Sequence, residues 1–419
     1  MFRKLALVLS MLLLAALVAP AFAQDAATVT VAPDGKVVIG LAAALSGEGL
    51  APFGEDIQRG AELALEDRPT VTVGDKEFPV ELDVQDDLCS AEGGQSVANL
   101  FVSDASVVGV VGPMCSSACT AAAPIFDAAT YSTISPSCTA ANLSQQGFTS
   151  FNRAVVSDGF QGKVAAQYIY ENLGVTKIAT IHDGSAYGEG LVAEVTKRFE
   201  ELGGEVVAAD AVNVGDTDFR SLLEDIASKS PELIYFGGFA AEGARLAQQR
   251  SDAGLGDAIF MGADGIKGGE FPNLAGDAKE GVYASSSIPT VADQAKVDAL
   301  LARYKEKYGV DPTGPFQVNS YDATNMFLDA IEAVGTVDAD GNLVIDRAAL
   351  AEYIRSIKDF QGLSGDLNCD GTGECSSADI GIVQYTGEDE VQVAVGKPNA
   401  DGTITIEMPE AMPEATPAS

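Results

Sequence analysis

The stretch Val107-Val-Gly-Val-Val-Gly-Pro-Met-Cys-Ser-Ser-Ala-Cys119 joins an uninterrupted apolar run to a short turn and a second segment rich in small residues. An apolar run of this length without polar alternation is typical of a strand buried on both faces of a sheet. The segment after the turn runs toward Ala129, and serines are common at the start of a helix. The stretch therefore predicts a strand, a turn and a helix, which form one βα unit.

Units of the same kind recur along most of the chain. Strand candidates such as Val37–Leu45, Lys177–His182 and Leu233–Gly238 alternate with amphipathic segments such as Glu55–Glu66 and Leu191–Leu202. This alternating order requires parallel sheets with helices on both faces. The predicted fold class is therefore α/β with doubly wound parallel sheets.

Chain length and local breaks predict two lobes. The chain is far longer than one hydrophobic core usually serves. Breaks near Phe151–Ser157, Ser285–Thr290 and Gly362–Gly365 predict three hinge crossings between the lobes. The expected bounds are residues 36–153 and 286–362 for the first lobe, residues 154–285 and 363–405 for the second lobe, and residues 406–419 for a disordered acidic tail.

Residues 1–23 predict a secretory signal peptide, because Arg3 and Lys4 precede the apolar run Leu5–Val18 and a small-residue triplet ends at Ala23. The apolar run is too short to span a bilayer, and no later run approaches the ~20 apolar residues of a transmembrane helix. Gln24 would follow the cleavage site, where no cysteine stands to carry a lipid. We therefore expect a freely diffusing periplasmic protein.

The charge balance excludes one class of partner. The chain carries 61 Asp and Glu against 25 Lys and Arg, with a formal net charge of −36. Such a surface repels nucleic acid and keeps an exported protein soluble, so we expect a monomer without a nucleic-acid partner. The absence of Trp also disfavours a carbohydrate ligand, since sugar sites often stack rings on Trp.

Catalytic motifs are scarce, so we predict that the protein is not an enzyme and needs no cofactor or metal. His182 is the only histidine, and it ends an apolar strand, where a backbone hydrogen bond is expected. Gly188-Glu-Gly-Leu-Val-Ala193 fits the dinucleotide pattern G-x-G-x-x-A. The five residues Asp183–Tyr187 separate these glycines from the strand and would displace a phosphate-binding turn.

Six cysteines in an exported chain predict three disulfides, although spacing alone allows about 15 pairings. They form two groups, which are Cys89, Cys115, Cys119 and Cys138 in the first third and Cys369 and Cys375 near the end. A tetrathiolate zinc site is the alternative for the first group, and an oxidising compartment disfavours it.

Two turns at the same sheet edge predict an anion site. The free N–H groups of the helix start after Cys115 attract a carboxylate, and Ser116 and Ser117 add hydroxyl donors. The next turn, Ser135-Pro-Ser-Cys-Thr-Ala140, emerges on the same carboxyl edge of the sheet, where ligands of open α/β sheets bind. A Cys119–Cys138 disulfide would join the two turns. Ordinary N-capping by serine remains the alternative for the first turn.

Six short motifs carry a resemblance to a known family. They are Asp86-Asp87-Leu-Cys89, Met114-Cys115-Ser116-Ser117, Ser135-Pro136 with Thr139-Ala140, Tyr187-Gly-Glu-Gly190, Tyr235-Phe-Gly-Gly238 and Met261-Gly-Ala-Asp264-Gly265. In this order and spacing, over residues 37–334, the chain resembles the periplasmic Leu/Ile/Val-binding proteins of ABC transporters. The resemblance implies a type I periplasmic binding protein fold and an amino acid ligand.

The resemblance also implies which residues bind the ligand. Its carboxylate would meet Ser116 and Thr139, and the backbone carbonyl of Ser137 would help to hold the ammonium group. Tyr187 takes the position of the tyrosine in the family's Tyr-Gly-Glu-Gly motif. Asp264 takes that of the ammonium-binding glutamate.

Two further positions depart from the family pattern, because Phe239 and Phe53 stand where tyrosines are usual. Two hydroxyl donors are therefore missing from the expected pocket, and the acid at Asp264 is one methylene shorter. These departures indicate a shifted ligand preference. The resemblance further implies that Cys89 pairs with Cys115.

Residues Asp366–Glu374 imitate the start of a calcium loop, with oxygen-bearing side chains at alternate positions and a glycine at the turn. The twelfth position is Ser377 instead of the bidentate Glu that such loops require. A hairpin closed by a Cys369–Cys375 disulfide is the alternative that we favour.

The residues and the resemblance predict one function. A zwitterion needs anion donors at a helix start and a carboxylate opposite, which Ser116, Thr139 and Asp264 would supply from two lobes when the cleft closes. We predict capture of a small aliphatic or branched-chain amino acid for import by an ABC permease in the inner membrane. The alternative is a sensing module that presents an amino acid or amide to a membrane receptor.

Overall fold

The structure, a computed structural model, describes residues 27–290, 294–376, 378–387 and 389–409. Within these ranges the chain forms nineteen strands and eleven α-helices. The strands are β1 (Thr28–Val31), β2 (Val37–Ala43), β3 (Thr70–Val73), β4 (Lys76–Asp86), β5 (Val107–Val111), β6 (Thr133–Ser135), β7 (Phe151–Arg153), β8 (Lys177–His182), β9 (Glu205–Ala211), β10 (Leu233–Gly237), β11 (Ile259–Gly262), β12 (Tyr283–Ile288), β13 (Thr336–Val337), β14 (Leu343–Asp346), β15 (Phe360–Gln361), β16 (Asp366–Leu367), β17 (Asp379–Thr386), β18 (Asp389–Pro398) and β19 (Ile404–Glu407).

The helices follow the strands in the alternation that the sequence predicts. They are α1 (Ala51–Asp67), α2 (Ala91–Ser103), α3 (Ser116–Ala128), α4 (Asp158–Gln167), α5 (Ala186–Glu201), α6 (Arg220–Ser228), α7 (Ala240–Gln249), α8 (Glu270–Ala275), α9 (Gln294–Tyr308), α10 (Gln317–Val334) and α11 (Arg347–Ser356). In the part of the chain that the structure describes, none of them has the length and apolarity to cross a bilayer.

The first lobe contains a six-stranded sheet in the order β3-β4-β2-β5-β6-β7. Its neighbours are parallel except for β3, which pairs antiparallel with β4 at the edge. Helices α1 and α10 cover one face, and α2 and α3 cover the other. A Cβ at Gly109 of the buried strand β5 would lie 2.5 Å from the Phe327 ring of α10. The close approach of helix and sheet therefore requires glycine there.

The second lobe contains an eight-stranded sheet in the order β19-β18-β17-β12-β11-β10-β8-β9. The five strands from β12 to β9 are parallel, and β17, β18 and β19 extend the sheet antiparallel. Helices α4 and α5 pack on one face, while α7 and α8 pack on the other. The predicted doubly wound architecture is present, but the sheet is mixed because its last three strands return as hairpins.

Two chain segments differ from the predicted bounds. Strand β1 precedes residue 36 and pairs with β14, and the apolar side chains of both strands belong to the core of the first lobe. Strand β19 pairs with β18 up to Glu407, so residues 406 and 407 are ordered parts of a sheet and not of a disordered tail. Residues 410–419 of the predicted tail and residues 1–23 lie outside the described residues.

The chain passes between the lobes three times. The first passage lies between β7 and α4, and the second lies between β12 and α9. The third passage was predicted at Gly362–Gly365, but Cys369 and Cys375 still pack in the core of the first lobe. Only from Asp379 does the chain join the second sheet through β17. Residues 363–375 therefore belong with the first lobe, which corrects the predicted boundary.

Candidate functional site

A small cavity lies where the carboxyl ends of strands from both lobes face each other. About 320 Å³ of space not filled by protein atoms lies between its walls, and this volume includes the part that is open to solvent. Its lining residues are Phe53, Met114, Cys115, Ser116, Ser137 and Phe316 from the first lobe and Tyr187, Phe239, Asp264 and Gly265 from the second. A concave, mostly apolar cavity with a few converging polar groups is the usual form of a small-molecule site.

The wall from the first lobe consists of the start of α3 and the loop Ser137–Ala140. The Ser116 hydroxyl accepts a hydrogen bond from the backbone N–H of Ala140 at 3.1 Å, so it holds the loop against the helix. The Ser137 hydroxyl donates to the backbone carbonyl of Met114 at 2.8 Å. The backbone carbonyl of Thr139 accepts from the N–H of Asp158 at 2.8 Å. Several bonds thus fix the loop before any ligand arrives.

The loop is also held from behind by Arg153, which is completely buried at the end of β7. Its Nη1 donates to the backbone carbonyls of Cys138 at 3.0 Å and Ala140 at 2.8 Å. Its Nε and Nη2 form a bidentate pair with the Glu374 carboxylate, with the Nε contact at 2.8 Å. Glu374 reaches this position because the Cys369–Cys375 segment packs on the first lobe. Pairing with a carboxylate and several hydrogen bonds are what burial of such a charge requires.

Three disulfides are present, and they join Cys89 to Cys115, Cys119 to Cys138, and Cys369 to Cys375. The first two join the start of α3 to the neighbouring loops on either side. The zinc alternative is therefore wrong for the structure, since the four cysteines of the first group are bonded in pairs.

Buried Asp87 reinforces the first of these connections. Its carboxylate accepts from the backbone N–H groups of Cys89 at 2.9 Å and Met114 at 2.7 Å. Burial raises the pKa of Asp87 to about 6, although these two hydrogen bonds lower it in part. The start of α3 is thus fixed by a covalent bond and by a buried carboxyl group.

The wall from the second lobe places a carboxyl group opposite α3. Asp264 is only 5% exposed, and its Oδ1 accepts a hydrogen bond from Nε2 of Gln161 at 2.8 Å. Burial raises the pKa of Asp264 to about 6, while hydrogen bonds from Gln161 and Tyr187 act in the opposite direction. The Tyr187 hydroxyl accepts from the backbone N–H of Gly265 at 3.2 Å. Asp264 and Tyr187 therefore form a rigid polar patch.

Aromatic rings complete the cavity. The ring of Phe239 lies 5.2 Å from the ring of Tyr187, centroid to centroid. Phe239 also packs against the cluster of Phe53, Met114 and Phe316 in the first lobe. The ring of Phe239 thus contacts both lobes, and Phe239 lines both this cavity and a wider cleft between the lobes.

Two polar contacts join the lobes at the mouth of this cleft. The Ser117 hydroxyl accepts from the backbone N–H of Ala186 at 3.1 Å, so the starts of α3 and α5 meet. Arg245 Nη2 contacts Glu48 Oε2 at 3.0 Å from the opposite side. The structure therefore has the lobes in contact around the cavity.

Most of the residues predicted to bind ligand line this one cavity, namely Ser116, Ser137, Tyr187, Asp264, Phe239 and Phe53. Thr139 is buried and is not part of the lining. Phe316 lines the cavity and was not predicted, and neither was Gln161, which bonds Asp264 from outside the lining, or its neighbour Asp158. The last two lie one turn apart at the start of α4, a spacing that places their side chains on the same face of the helix.

Three sequence motifs have other roles in the structure. Nδ1 of His182 accepts from the backbone N–H of Gly184 at 3.2 Å, which is a strand-end contact. A Cβ at Gly188 would lie 2.3 Å from the carbonyl oxygen of Gly237, so glycine allows α5 to approach β10. In the loop of residues 366–376, Asp370 accepts from the N–H and hydroxyl of Thr372, and Glu374 pairs with Arg153. Ser377 lies outside the described residues.

The fold and cavity define a class of protein. Two α/β lobes joined by three crossings, with one buried site between facing strand ends, form a two-lobed ligand-binding protein. A sequence model of the periplasmic binding protein family matches residues 36–390, and the chain belongs to this family. The predicted fold and family are confirmed.

Three of the similar proteins are named for, or were solved with, amino acids. The leucine-, isoleucine-, valine-, threonine- and alanine-binding protein of Pseudomonas aeruginosa is 32% identical over 350 residues, which cover 83% of this chain and 90% of the relative. A crystal structure of a leucine-binding protein from Thermotoga maritima has a TM-score of 0.78 and 28% identity, covering 86% of this chain and 99% of that one. A branched-chain amino acid transporter substrate-binding protein from Streptococcus pneumoniae, solved with isoleucine, has a TM-score of 0.73 and 25% identity, covering 89% and 100% of the two chains.

Proposed function

We propose that this protein captures a small aliphatic α-amino acid between its lobes and delivers it to an ABC permease. One observation carries the proposal: hydroxyl and amide groups at the start of α3 face the Asp264 carboxyl group across one cavity. The names and ligands of the relatives support the same ligand class.

Each part of the ligand has a partner in this arrangement. The carboxylate of the amino acid would bind Ser116 and the N–H groups at the start of α3, where the helix dipole favours an anion. The ammonium group would lie at Asp264 and the Ser137 carbonyl, with Tyr187 beside them. The aliphatic side chain would pack among aromatic and thioether side chains, which are those of Phe53, Met114, Phe239 and Phe316.

Binding and lobe closure would be coupled. The anion donors belong to the first lobe and Asp264 belongs to the second, so only the closed form offers both to one molecule. Contacts such as Glu48–Arg245 form only when the lobes meet. A permease could then distinguish the loaded protein by its closed shape. Export through the signal peptide in residues 1–23 and a monomeric state belong to the same proposal.

Calorimetric titration of the exported, oxidised protein tests the ligand class. L-Leucine, L-isoleucine, L-valine and L-alanine should bind with measurable affinity, whereas L-glutamate and L-lysine should not, because the cavity has no partner for a second charge. The deaminated analogue 4-methylpentanoate should also fail to bind. Binding of 4-methylpentanoate as tightly as L-leucine would contradict the assignment of Asp264 to the ammonium group.

A further inference from the structure

The loop of residues 309–316, which joins α9 to α10, forms part of the cavity wall. Its last residue, Phe316, is buried and lines the cavity. The backbone of the loop also lies against Phe53 of α1, because a Cβ at Gly314 would lie 2.5 Å from the Phe53 ring. Phe53 and Phe316 belong to the wall that we assign to the aliphatic side chain of the ligand. The shape of this wall therefore depends on the position of the loop.

One buried carboxylate holds this loop in place. Asp56 lies one turn after Phe53 in α1 and is only 1% exposed. Its Oδ2 accepts hydrogen bonds from the backbone N–H groups of Thr313 at 2.7 Å and Gly314 at 2.6 Å, and from the Thr313 hydroxyl at 2.8 Å. Its Oδ1 accepts from the hydroxyl of Tyr304 in α9. Hydrogen bonds to an ionised acceptor are stronger than neutral ones, so a single side chain fixes both α9 and the loop to α1.

The other side of the same loop meets the second lobe. A Cβ at Gly268 would lie 2.6 Å from the carbonyl oxygen of Thr313, and a Cβ at Gly269 would lie 2.9 Å from the Phe53 ring. These two glycines follow Asp264 in the second lobe, so the turn after Asp264 packs directly on the loop and on Phe53. A displaced loop would alter this contact and the aromatic wall together, since close-packed groups transmit small shifts to their neighbours.

We propose that Asp56 is a positioning residue that sets the preference of the cavity for a branched aliphatic side chain over a small one. The inference rests on the proposed function and deepens it, because it assigns this preference to a residue that does not line the cavity. Asp56 fixes the loop, and the loop keeps Phe53 and Phe316 where they pack on the branch of the ligand. The groups that face the ligand carboxylate and ammonium group belong to other segments, so loss of Asp56 leaves them in place.

The test uses Asp56→Asn, which keeps the size of the side chain but places an NH₂ donor against the donors of the loop or of Tyr304. Calorimetry measures the Kd of the oxidised protein for L-leucine and for L-alanine. The Kd for L-leucine should rise by about tenfold, as expected when an apolar pocket loses its fit to a few methylene groups. The Kd for L-alanine should rise by less than about threefold, because its methyl group has few contacts with the aromatic wall.

Two further variants accompany this measurement. Thr313→Val removes only the hydroxyl bond to Asp56 and should lower the preference for L-leucine in the same direction by a smaller factor. Asp322→Asn is the matched control, since Asp322 is also buried and accepts from Leu363 and Ser364, which do not line the cavity. Asp322→Asn should leave the ratio of the two Kd values within about twofold of the unmodified protein.

The outcomes separate this inference from the proposed function. If the unmodified protein binds none of the aliphatic amino acids, both fail. If it binds L-leucine and Asp56→Asn leaves the ratio of the two Kd values unchanged, the role of Asp56 is refuted while the function stands. Equal weakening of both ligands by Asp56→Asn would show a purely structural role and would also overturn the inference. If Asp56→Asn does not fold, Thr313→Val decides, and an unchanged ratio for that variant refutes the inference.

Discussion

Replacement of Glu374 by Gln tests how the first-lobe wall is held in place. Glu374 neutralises Arg153, which is 0% exposed and bonds the carbonyls of Cys138 and Ala140. Removal of one partner of a buried ion pair costs about 3 to 5 kcal/mol, because the other charge stays buried without compensation. The Glu374 side chain is 25% exposed, so water can replace it in part. We therefore expect a loss of about 3 kcal/mol in the free energy of unfolding.

Urea unfolding followed by circular dichroism measures this loss, and calorimetry with L-leucine measures its effect on the site. The Kd should rise several-fold, because Arg153 also positions the loop that contributes the Ser137 carbonyl. Glu81→Gln is the matched control, since Glu81 pairs with Lys36 at 2.6 Å on the surface. An exposed pair of this kind contributes less than about 1 kcal/mol. Equal losses for the two variants would refute the proposed role of the buried pair.

Three further predictions concern the cleft and the buried acids. Asp264→Ala should weaken L-leucine binding by more than about tenfold in calorimetry, whereas Asp277→Ala at an exposed position should not; unchanged affinity would defeat the ammonium assignment. Arg245→Ala should raise the Kd for L-leucine by up to about fivefold at low salt and by less at high salt, because the ion pair of Arg245 with Glu48 is partly exposed. An increase in Kd that does not depend on salt would contradict this role of the pair. The pKa of Asp87 rises from 3.8 to about 6 on folding, so its contribution to stability is present below pH 4 and lost as the pH rises through about 6. The free energy of unfolding of Asp87→Asn, measured with urea, should therefore fall less steeply between pH 4 and pH 6 than that of the unmodified protein. Equal slopes for the two proteins would contradict this role of Asp87.

The repeating βα units and most of the site were predictable from local patterns. The run Val107–Val111 is apolar throughout, and it lies in the middle of a sheet covered on both faces. Ser116 and Asp264 follow strands, and the carboxyl ends of parallel strands meet at one edge, so the order of motifs predicts their convergence. The family resemblance supplied the further prediction that the carboxyl edges of the two sheets face each other across the cleft.

The third crossing and Asp158 could not be predicted, for different reasons. The position of residues 363–375 depends on the pairing of Glu374 with Arg153, which are 221 positions apart and belong to no repeating pattern. A polar residue at a helix start, such as Asp158, is most simply explained by capping, and nothing local reveals that its side chain is completely buried. Strands β17 to β19 carry many polar residues and were therefore not recognised as sheet.

The pair of Arg153 and Glu374 has a mechanical consequence for ligand capture. Arg153 ends the last strand before the first passage to the second lobe, and Glu374 lies just before the third passage. The two chain segments are thus clamped to each other, and bending on opening must begin beyond the clamp. The wall formed by the start of α3 and the loop Ser137–Ala140, which we propose binds the ligand carboxylate, should then keep its shape when the lobes open. In the proposed mechanism, an incoming amino acid would bind this preformed wall first, and the second lobe would close onto it afterwards.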